Sequence, residues 1–425
     1  MKIRTLITFS AGFLACLAVL ALLVWSGDRG ADLLAPSAEA AGDVESAGSA
    51  SEPNQSRGIY YPGTEALAPD EMRVVALGTG MPSPRPKQAA ACWLVELGNG
   101  DKFLFDLGAG CHERIAAQKI SYDLIDKVFI GHLHVDHYGD LASFWLGGTV
   151  MNRLTPLRIW GPSGHTPEYG TTYAMDRMQE MYTWDVGTRA GFVDFRGGAL
   201  EVHEFKYDEV NEVIFDENGV VIRSLPAIHA IDGAVSFILE WNGLKFAYSS
   251  DTYPNKWWLE HTEGADISIH ECFLPSTFMV TKQGFTPAEA LMVATQAHTS
   301  PEQFGRVMSL TRPRLAVGYH FQNDFDTGAD VHSRVRKTYD GPLALAEDYM
   351  VFNITKDDTL VRMSAIDEAI WPPAAQKEKL PPDVSKMVPM SDFVRGGEQP
   401  MPEVVGPIYA EINKLYGTDI QVPGK

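Results

Sequence analysis

The chain has 425 residues, of which 45% are hydrophobic, so it is long enough to form one large globular domain or two ordinary ones. Its 55 acidic residues outnumber its 35 basic residues and leave a formal net charge of -20. Proteins that grip long nucleic acids need clustered lysine and arginine, so this balance argues against a long nucleic acid as a partner. The hydrophobic content also excludes general disorder.

The first 40 residues are typical of an export signal. Lys2 and Arg4 precede an almost unbroken apolar run over residues 6–25, and a tract of small residues follows. Because the run is about 20 residues long, an uncleaved membrane anchor is an equal alternative to a cleaved signal. Either way the protein is expected to be exported, and to be periplasmic or anchored to the inner membrane facing the periplasm. Residues 41–70, rich in small and polar residues, are predicted to form a flexible linker.

The predicted folded domain covers residues 71–355 and alternates short apolar strands with helices. Its predicted strands include 73–77, 92–97, 102–107, 127–130, 235–240, 244–249 and 266–269, and its predicted helices 140–146, 168–184, 287–297 and 301–310. Asn-Gly pairs at 99–100, 218–219 and 242–243 predict hairpins, because a type I′ turn needs two residues that tolerate positive φ. The C-terminal extension, residues 356–425, is expected to wrap the domain or to contact another subunit.

The densest chemical motif is Gly131-His132-Leu133-His134-Val135-Asp136-His137, which directly follows an apolar strand. His132 and His134 lie two residues apart on an extended segment and point the same way. Asp136 and His137 follow where the chain turns toward a helix, so they can face a second ion. The spacing therefore predicts two adjacent metal sites made of imidazole and carboxylate groups. Such ligands suit two zinc ions, with manganese or iron as alternatives.

This motif and three later segments resemble the signature of the metallo-β-lactamase-fold hydrolases. The later segments are Ala227-Ile228-His229, Tyr248-Ser249-Ser250-Asp251-Thr252 and Val317-Gly318-Tyr319-His320-Phe321. The resemblance implies an α/β fold, a four-layer αββα sandwich with a binuclear site at one edge of its two sheets and an inserted segment before the third histidine ligand. The ligands that it implies are His132, His134 and His229 for one ion, Asp136, His137 and His320 for the other, and Asp251 as the bridge.

A second constellation, Glu271 with His298, resembles a glutamate–histidine pair of the tRNase Z-like branch, which includes arylsulfatase-like hydrolases. In that branch the carboxylate orients the imidazole, which protonates the leaving group or binds a non-bridging oxygen. Here the resemblance implies that Glu271 holds His298, and Asp136 is expected to add general-base duty to its role as a ligand. The alternative is that His298 merely caps a helix. The whole chain also resembles the exported hydrolases grouped with guanitoxin-biosynthesis enzymes.

Two metal ions about 3.5–4 Å apart lower the pKa of a bridging water, so hydrolysis is the expected reaction. A small anionic ester, either a phosphodiester or a sulfate ester, is the expected substrate, because a metal pair with an imidazolium fits a tetrahedral anionic centre. Hydrolysis of a lactone or a β-lactam is the alternative reaction, since a metal-activated water also attacks strained carbonyls. A non-catalytic binding protein on the same fold is an alternative of another class. A homodimer is the expected assembly.

Two further regions carry hypotheses about the site. Asp106, after a predicted strand, either supports a ligand histidine or caps a turn. Between Pro156 and His229 the chain is longer than the minimal fold needs, and residues 168–184 carry a stripe of tyrosine, methionine and tryptophan. Such a stripe is typical of core packing, but its place before a metal ligand leads to the hypothesis that it forms a lid or pocket wall.

Overall fold

The computed structural model describes residues 58–83, 85–371 and 373–422. The unit Met1–Gln55 lies outside them, and with it the predicted targeting segment and the first part of the predicted linker. None of the helices in the described ranges is both long and apolar enough to cross a lipid bilayer.

The strands of the described residues form two sheets. They are β1 (Ile59–Tyr60), β2 (Met72–Gly78), β3 (Cys92–Leu97), β4 (Lys102–Phe105), β5 (Lys127–Phe129), β6 (Leu157–Pro162), β7 (Leu200–Phe205), β8 (Glu212–Glu217), β9 (Val220–Pro226), β10 (Val235–Trp241), β11 (Leu244–Tyr248), β12 (Ile267–Glu271), β13 (Ala316–Tyr319), β14 (Leu343–Leu345), β15 (Met350–Ile354) and β16 (Thr359–Ser364). The first sheet has the order β1-β16-β15-β2-β3-β4-β5-β6-β7, and the second the order β14-β13-β12-β11-β10-β9-β8.

Helices occupy the connections between these strands. They are α1 (His112–Ala116), α2 (Val135–Tyr138), α3 (Leu141–Val150), α4 (Thr171–Met181), α5 (Thr183–Arg189), α6 (Lys256–His261), α7 (Ser276–Gln283), α8 (Pro287–Met292), α9 (Pro301–Thr311), α10 (Phe325–Val335), α11 (Asp392–Arg395) and α12 (Pro402–Tyr416). A wider π-type turn, Val293–Ala297, continues α8. The stretch predicted as one helix over 168–184 is therefore a short turn followed by α4 and the start of α5.

The two sheets pack face to face through aromatic side chains. Phe105 of the first sheet lies 4.9 Å, ring centre to ring centre, from Phe246 of the second. Phe129 stacks on Trp160 at 4.8 Å and contacts Phe237 across the interface. Replacing one such fully buried ring by alanine costs about 3–5 kcal/mol. This layer fixes the distance between the two sheet edges on which the site residues lie.

Helices cover the outer face of each sheet, which confirms the four-layer αββα fold. On the first sheet α1, α3 and α4 bury Ile115, Phe144 and Met175. On the second sheet α6 and α9 bury Trp258 and Phe304, as part of a cluster that α10 completes. Alternate residues of the central strands thus face the inter-sheet core or a helix layer, because side chains alternate between the two faces of a strand.

The folded part extends beyond the predicted limits of 71–355 at both ends. Ile59–Tyr60 pairs with β16, and Tyr60 is buried, with its hydroxyl accepting a 2.9 Å hydrogen bond from Arg73 Nη1. Within the segment predicted as a linker, residues 59–60 thus form an edge strand of the first sheet. A two-residue edge strand has too short an apolar pattern to be separated from a linker by periodicity.

Part of the C-terminal extension lies against residues on both sides of β6, Thr155 before this strand and Asp194 after it. Lys377 Nζ donates to Thr155 Oγ1 at 2.8 Å, and the backbone N–H of Leu380 donates to Asp194 Oδ2 at 2.8 Å. Arg196, also bonded to Asp194, holds the pKa of that carboxyl down at about 2. The helices α11 and α12 present exposed apolar side chains, among them Phe393 and Ile408.

Candidate metal centre

Parallel strands in both sheets end at the edge where the site residues collect. In the first sheet β4 and β5 are parallel, and Asp106 and His132 follow their carboxyl ends. In the second sheet β11, β12 and β13 are parallel, and they deliver Asp251, Glu271 and His320. Because carboxyl ends of parallel strands share one edge, residues far apart in sequence meet here.

The first group of ligand atoms comes from three histidines and an aspartate. His132 Nε2 and His229 Nε2 lie 3.0 and 3.1 Å from His134 Nδ1. Asp251 Oδ2 lies 3.9 Å from His132 Nε2 and from His229 Nε2. The other ring nitrogen of His229 is 3.0 Å from the carbonyl oxygen of Ala297, which fixes the ring orientation. The structure thus brings together the residues expected to bind the first ion.

The second group shares Asp251 with the first. His137 Nε2 lies 3.3 Å from Asp251 Oδ1 and 3.5 Å from Asp136 Oδ2. His320 Nε2 lies 3.1 Å from Asp251 Oδ2 and 3.9 Å from Asp136 Oδ2. Asp251 therefore lies between the two groups, since its Oδ2 is 3.9 Å from His132 Nε2 of the first group and 3.1 Å from His320 Nε2 of the second, as a bridging carboxylate requires.

The donor atoms fit a pair of metal ions. Tetrahedral zinc with bonds of about 2.0–2.1 Å places neighbouring ligand atoms about 3.4 Å apart, and the separations here run from 3.0 to 3.9 Å. Within the described part of the chain, five buried atoms of these residues have no hydrogen-bond partner: Asp136 Oδ1, His137 Nε2, Asp251 Oδ1 and both ring nitrogens of His320. Buried polar atoms without partners are costly, and bound cations would satisfy them.

The charge states also suit cation binding. Burial lowers the pKa of His132 well below its usual value and that of His229 to about 4, so both rings are neutral, the form that metals bind. Burial alone would lower the pKa of His137 too. The carboxylates of Asp251, Asp106 and Asp136 outweigh burial and raise that pKa well above its usual value. Three carboxylates around one buried ring are a strong attraction for a cation.

Asp106 supports the second group directly, as one of its two predicted roles required. Its Oδ2 accepts from His137 Nδ1 at 2.6 Å, from the hydroxyl of Tyr248 at 2.6 Å and from Ser250 Oγ at 3.0 Å. Its Oδ1 accepts from the backbone N–H of Gly131 at 2.7 Å. Holding the proton on Nδ1 leaves Nε2 of His137 as the nitrogen for a metal.

We expect Asp106→Asn to weaken zinc binding about 10–100-fold, because the amide would turn a donor toward other donors. Competition with a chromophoric chelator measures the change. Tyr248→Phe removes only one of the four donors to Asp106 and is the matched control, with a smaller loss expected. Unchanged zinc affinity in Asp106→Asn would contradict the role given to this carboxylate.

Strained backbone concentrates at the site. Asp106, Ser250 and His320 have φ values of 57°, 50° and 72°, and Ala230, next to His229, has a φ of 35°. Non-glycine residues rarely adopt this left-handed region, and it is costly unless the surroundings enforce it. The packing and hydrogen bonds around these residues thus hold the side chains in positions that a relaxed backbone would not give.

Glu271 and His298 form a hydrogen-bonded pair beside the candidate metal ligands. His298 Nδ1 lies 2.9 Å from Glu271 Oε2, and Glu271 Oε1 accepts from the backbone N–H of Thr252. Phe273 stacks on the His298 ring at 3.9 Å between ring centres with planes 7° apart. His298 is also the C-cap residue of the π-type turn that continues α8, because its backbone N–H donates to the carbonyl oxygen of Val293. Its backbone thus caps a helix, as the alternative expected, while its side chain pairs with Glu271.

The pair is well placed to present a hydrogen to a substrate. Burial lowers the pKa of His298, while burial and the charge of Asp251 raise the pKa of Glu271 well above its usual value. A proton held by the pair lies between Glu271 and His298 Nδ1. Nε2 of the ring then carries a hydrogen of its own.

Several residues at the site were not identified from the sequence as contributors. Tyr248 and Ser250 bond Asp106, and Phe273 orients His298, while Arg177 lines a cavity next to the histidines. Tyr248 and Ser250 stood inside the segment that ends at Asp251, and their nearness to a strand end was the available signal. No signal in the sequence pointed to Arg177, because its position depends on how α4 packs.

Comparisons with known proteins match this region of the chain. The model of a family described as "Anti-Pycsar protein Apyc1" matches residues 72–166. Ribonuclease Z of Mycobacterium marinum (strain ATCC BAA-535 / M) is 31% identical over 205 residues, which are 47% of this chain and 70% of the relative. Ribonuclease Z of Mycobacterium sp. (strain KMS) is 26% identical over 286 residues, which are 65% of this chain and 94% of the relative. Human tRNase Z, short form, has a TM-score of 0.49 and 20% identity, over 66% of this chain and 98% of that chain.

Proposed function

Because the chain belongs to the ribonuclease Z-like family of metallo-β-lactamase-fold, metal-dependent hydrolases, we propose that it hydrolyses a phosphodiester with a pair of zinc ions. The observation that carries the proposal is the convergence of two groups of metal-ligand atoms on Asp251, with the Glu271–His298 pair beside them. Membership of a hydrolase family and the complete donor set both speak against the non-catalytic alternative.

The choice of ester rests on the acid pair. An imidazole N–H next to a metal pair suits a tetrahedral, anionic centre, where it can meet a departing or non-bridging oxygen. A sulfate ester has the same shape and is the second candidate, whereas a lactone or β-lactam carbonyl is planar and uncharged. The name of the relatives, Ribonuclease Z, favours phosphorus over sulfur.

Seven side chains would hold the two ions. They are His132, His134 and His229 on one side, Asp136, His137 and His320 on the other, and Asp251 between them. When bound, the ions supply Lewis-acid charge for the phosphoryl oxygens and make a water molecule acidic. The protein's own groups orient the ester and move the protons.

Proton transfer would involve Asp136 and His298. Asp136 accepts a proton from the attacking water as the new phosphorus–oxygen bond forms. His298 Nε2 donates a proton to the leaving oxygen as the old phosphorus–oxygen bond breaks, and Glu271 stabilises the ring through Nδ1. The products are a phosphomonoester and an alcohol.

A substrate panel tests this proposal. Protein of measured zinc content is assayed with bis(4-nitrophenyl) phosphate, 4-nitrophenyl sulfate, a lactone and a β-lactam. We expect the phosphodiester to be hydrolysed with the highest kcat/KM. Turnover of the lactone or β-lactam alone would overturn the proposal and restore the carbonyl alternative, and preference for the sulfate would establish the second candidate.

A further inference from the structure

A cavity of about 720 Å³ is lined both by the first group of histidines and by α4. We call it the α4 cavity. Its lining includes His132, His134 and His229 of the first group and Tyr173 and Met178 of α4. Its volume lies in the range of pockets that enclose small molecules. A group attached to a phosphorus atom at the metal centre would reach directly into this space.

The wall of the α4 cavity is apolar and aromatic. Tyr169, Tyr173 and Met181 are 55%, 43% and 72% exposed, although all three carry large apolar surfaces. Tyr138 and Tyr182 add two more rings to the lining. Aromatic rings and flexible methionines are suited to stack on and enclose a planar organic group.

The charges that line the α4 cavity do not suit a polyanion. Among the described residues that line it, Arg177 is the lone lysine or arginine, and its Nη1 is already paired with Glu180 Oε2 at 2.7 Å. Two carboxylates, Glu168 and Asp232, lie in the same lining. A chain of phosphates needs several cations for neutralisation. The α4 cavity lacks them, so it suits a substrate whose single phosphate lies at the metal centre.

The acid pair opens onto a different space. A second cavity, of about 420 Å³, is lined by His298, Asp251 and His320, and His134 borders both cavities. The leaving group that His298 protonates would depart on that side. The other ester group, which stays on phosphorus, would therefore occupy the α4 cavity.

Resting on the proposed phosphodiesterase function, we infer that the substrate is a small phosphodiester whose retained ester group is uncharged and aromatic and lies in the α4 cavity. The rings of Tyr169 and Tyr173 and the side chain of Met178 enclose that group. A polynucleotide is not accommodated, because its retained arm carries further phosphates.

Two esters with the same leaving group test the inference: 4-nitrophenyl phenyl phosphate and 4-nitrophenyl methyl phosphate. Each kcat/KM is divided by the uncatalysed rate constant of the same ester. For the wild-type, zinc-loaded protein we expect the phenyl ester to be preferred about tenfold to a hundredfold, from burial of one ring. The preference should appear mainly as a lower KM for the phenyl ester, because the phenyl ring makes the same contacts in the bound substrate and in the transition state.

Variants of Tyr173 test whether the α4 cavity causes the preference for the phenyl ester. We expect Tyr173→Ala to reduce the preference several-fold, and Tyr173→Phe, which keeps the ring, to retain it. Tyr61→Ala is the matched control, since Tyr61 is 52% exposed and does not line the cavity. Precursor tRNA, added as a competitor at physiological salt, should not inhibit hydrolysis of the phenyl ester.

The outcomes separate the inference from the function on which it rests. Equal normalised kcat/KM for the two esters, unchanged in Tyr173→Ala, would overturn the inference and leave the phosphodiesterase intact. Inhibition by precursor tRNA at low concentration would overturn it in favour of a polynucleotide. Hydrolysis of neither ester would overturn the proposed function and the inference together.

Discussion

Asp251→Ala is expected to lower kcat/KM for a phosphodiester on the order of 10³-fold, because a bound metal pair contributes several kcal/mol to the transition state. Bound zinc should fall to one ion or fewer per chain. The physical reason is that this carboxylate lies between the two groups, with its Oδ2 3.9 Å from His132 Nε2 and 3.1 Å from His320 Nε2. Without it, both groups of ligand atoms lose a member.

The zinc content of Asp251→Ala is measured by mass spectrometry, alongside the rate and the circular dichroism spectrum. Asp216→Ala is the matched control, because Asp216 is an exposed aspartate of β8. A folded Asp251→Ala protein that keeps two zinc ions and the wild-type rate would contradict the bridging role. Asp251→Asn, which preserves the side-chain shape, separates loss of charge from loss of packing.

His298→Ala is expected to have an effect that depends on the leaving group. For diphenyl phosphate, whose phenolate departs poorly, kcat/KM should fall about 10²–10⁴-fold, the usual contribution of a general acid. For bis(4-nitrophenyl) phosphate the loss should be far smaller, because 4-nitrophenolate departs without a proton. Both zinc ions should remain bound, since the proposed ligand set does not include His298.

Glu271→Gln tests how His298 is positioned. Glu271 lies 2.9 Å from His298 Nδ1 and is expected to act through that ring, so the variant should show a smaller loss with the same dependence on the leaving group. His332→Ala is the control for both variants, because His332 is an exposed histidine of α10. Equal losses for the two esters, or loss of zinc in His298→Ala, would identify a structural role instead.

The clustering of the candidate metal ligands could be predicted because much of their pattern is local. His132, His134, Asp136 and His137 lie in one loop after β5, so their spacing alone predicts two adjacent sites. Asp251 and His320 are more than a hundred residues further along the chain, and nothing local joins them to that loop. Only the family resemblance predicted that these two residues join the site. The parallel order of β11, β12 and β13 explains why Asp251 and His320 lie close to the loop after β5.

Turn geometry could be predicted only in part. Asn218-Gly219 and Asn242-Gly243 have positive φ at both residues, as a type I′ turn requires. At Asn99-Gly100 only Gly100 has positive φ, and the backbone N–H of Leu97 donates to the oxygen of Asp101 at 3.0 Å. That hairpin is therefore a longer loop with one left-handed residue, because strand register rather than the Asn-Gly pair sets its length.

The wall of the α4 cavity could not be predicted in detail. The stripe over 168–184 was consistent with packing and with a pocket wall, and the structure uses it for both. Met175 is buried against the first sheet, whereas Tyr173 and Arg177 face the cavity. Only the way α4 docks on the sheet divides its side chains in this manner. Export of the protein and the likeness to the guanitoxin-associated group stay predictions.

Zinc titration of metal-free protein tests the central claim most directly. The protein is stripped with a chelator, checked for intact secondary structure, and titrated with Zn²⁺ while hydrolysis of bis(4-nitrophenyl) phosphate is followed. A binuclear phosphodiesterase predicts no hydrolysis without metal and a rate that reaches its maximum at two zinc ions per chain. Hydrolysis at the full rate by the metal-free protein, or a maximum at one ion, would contradict it.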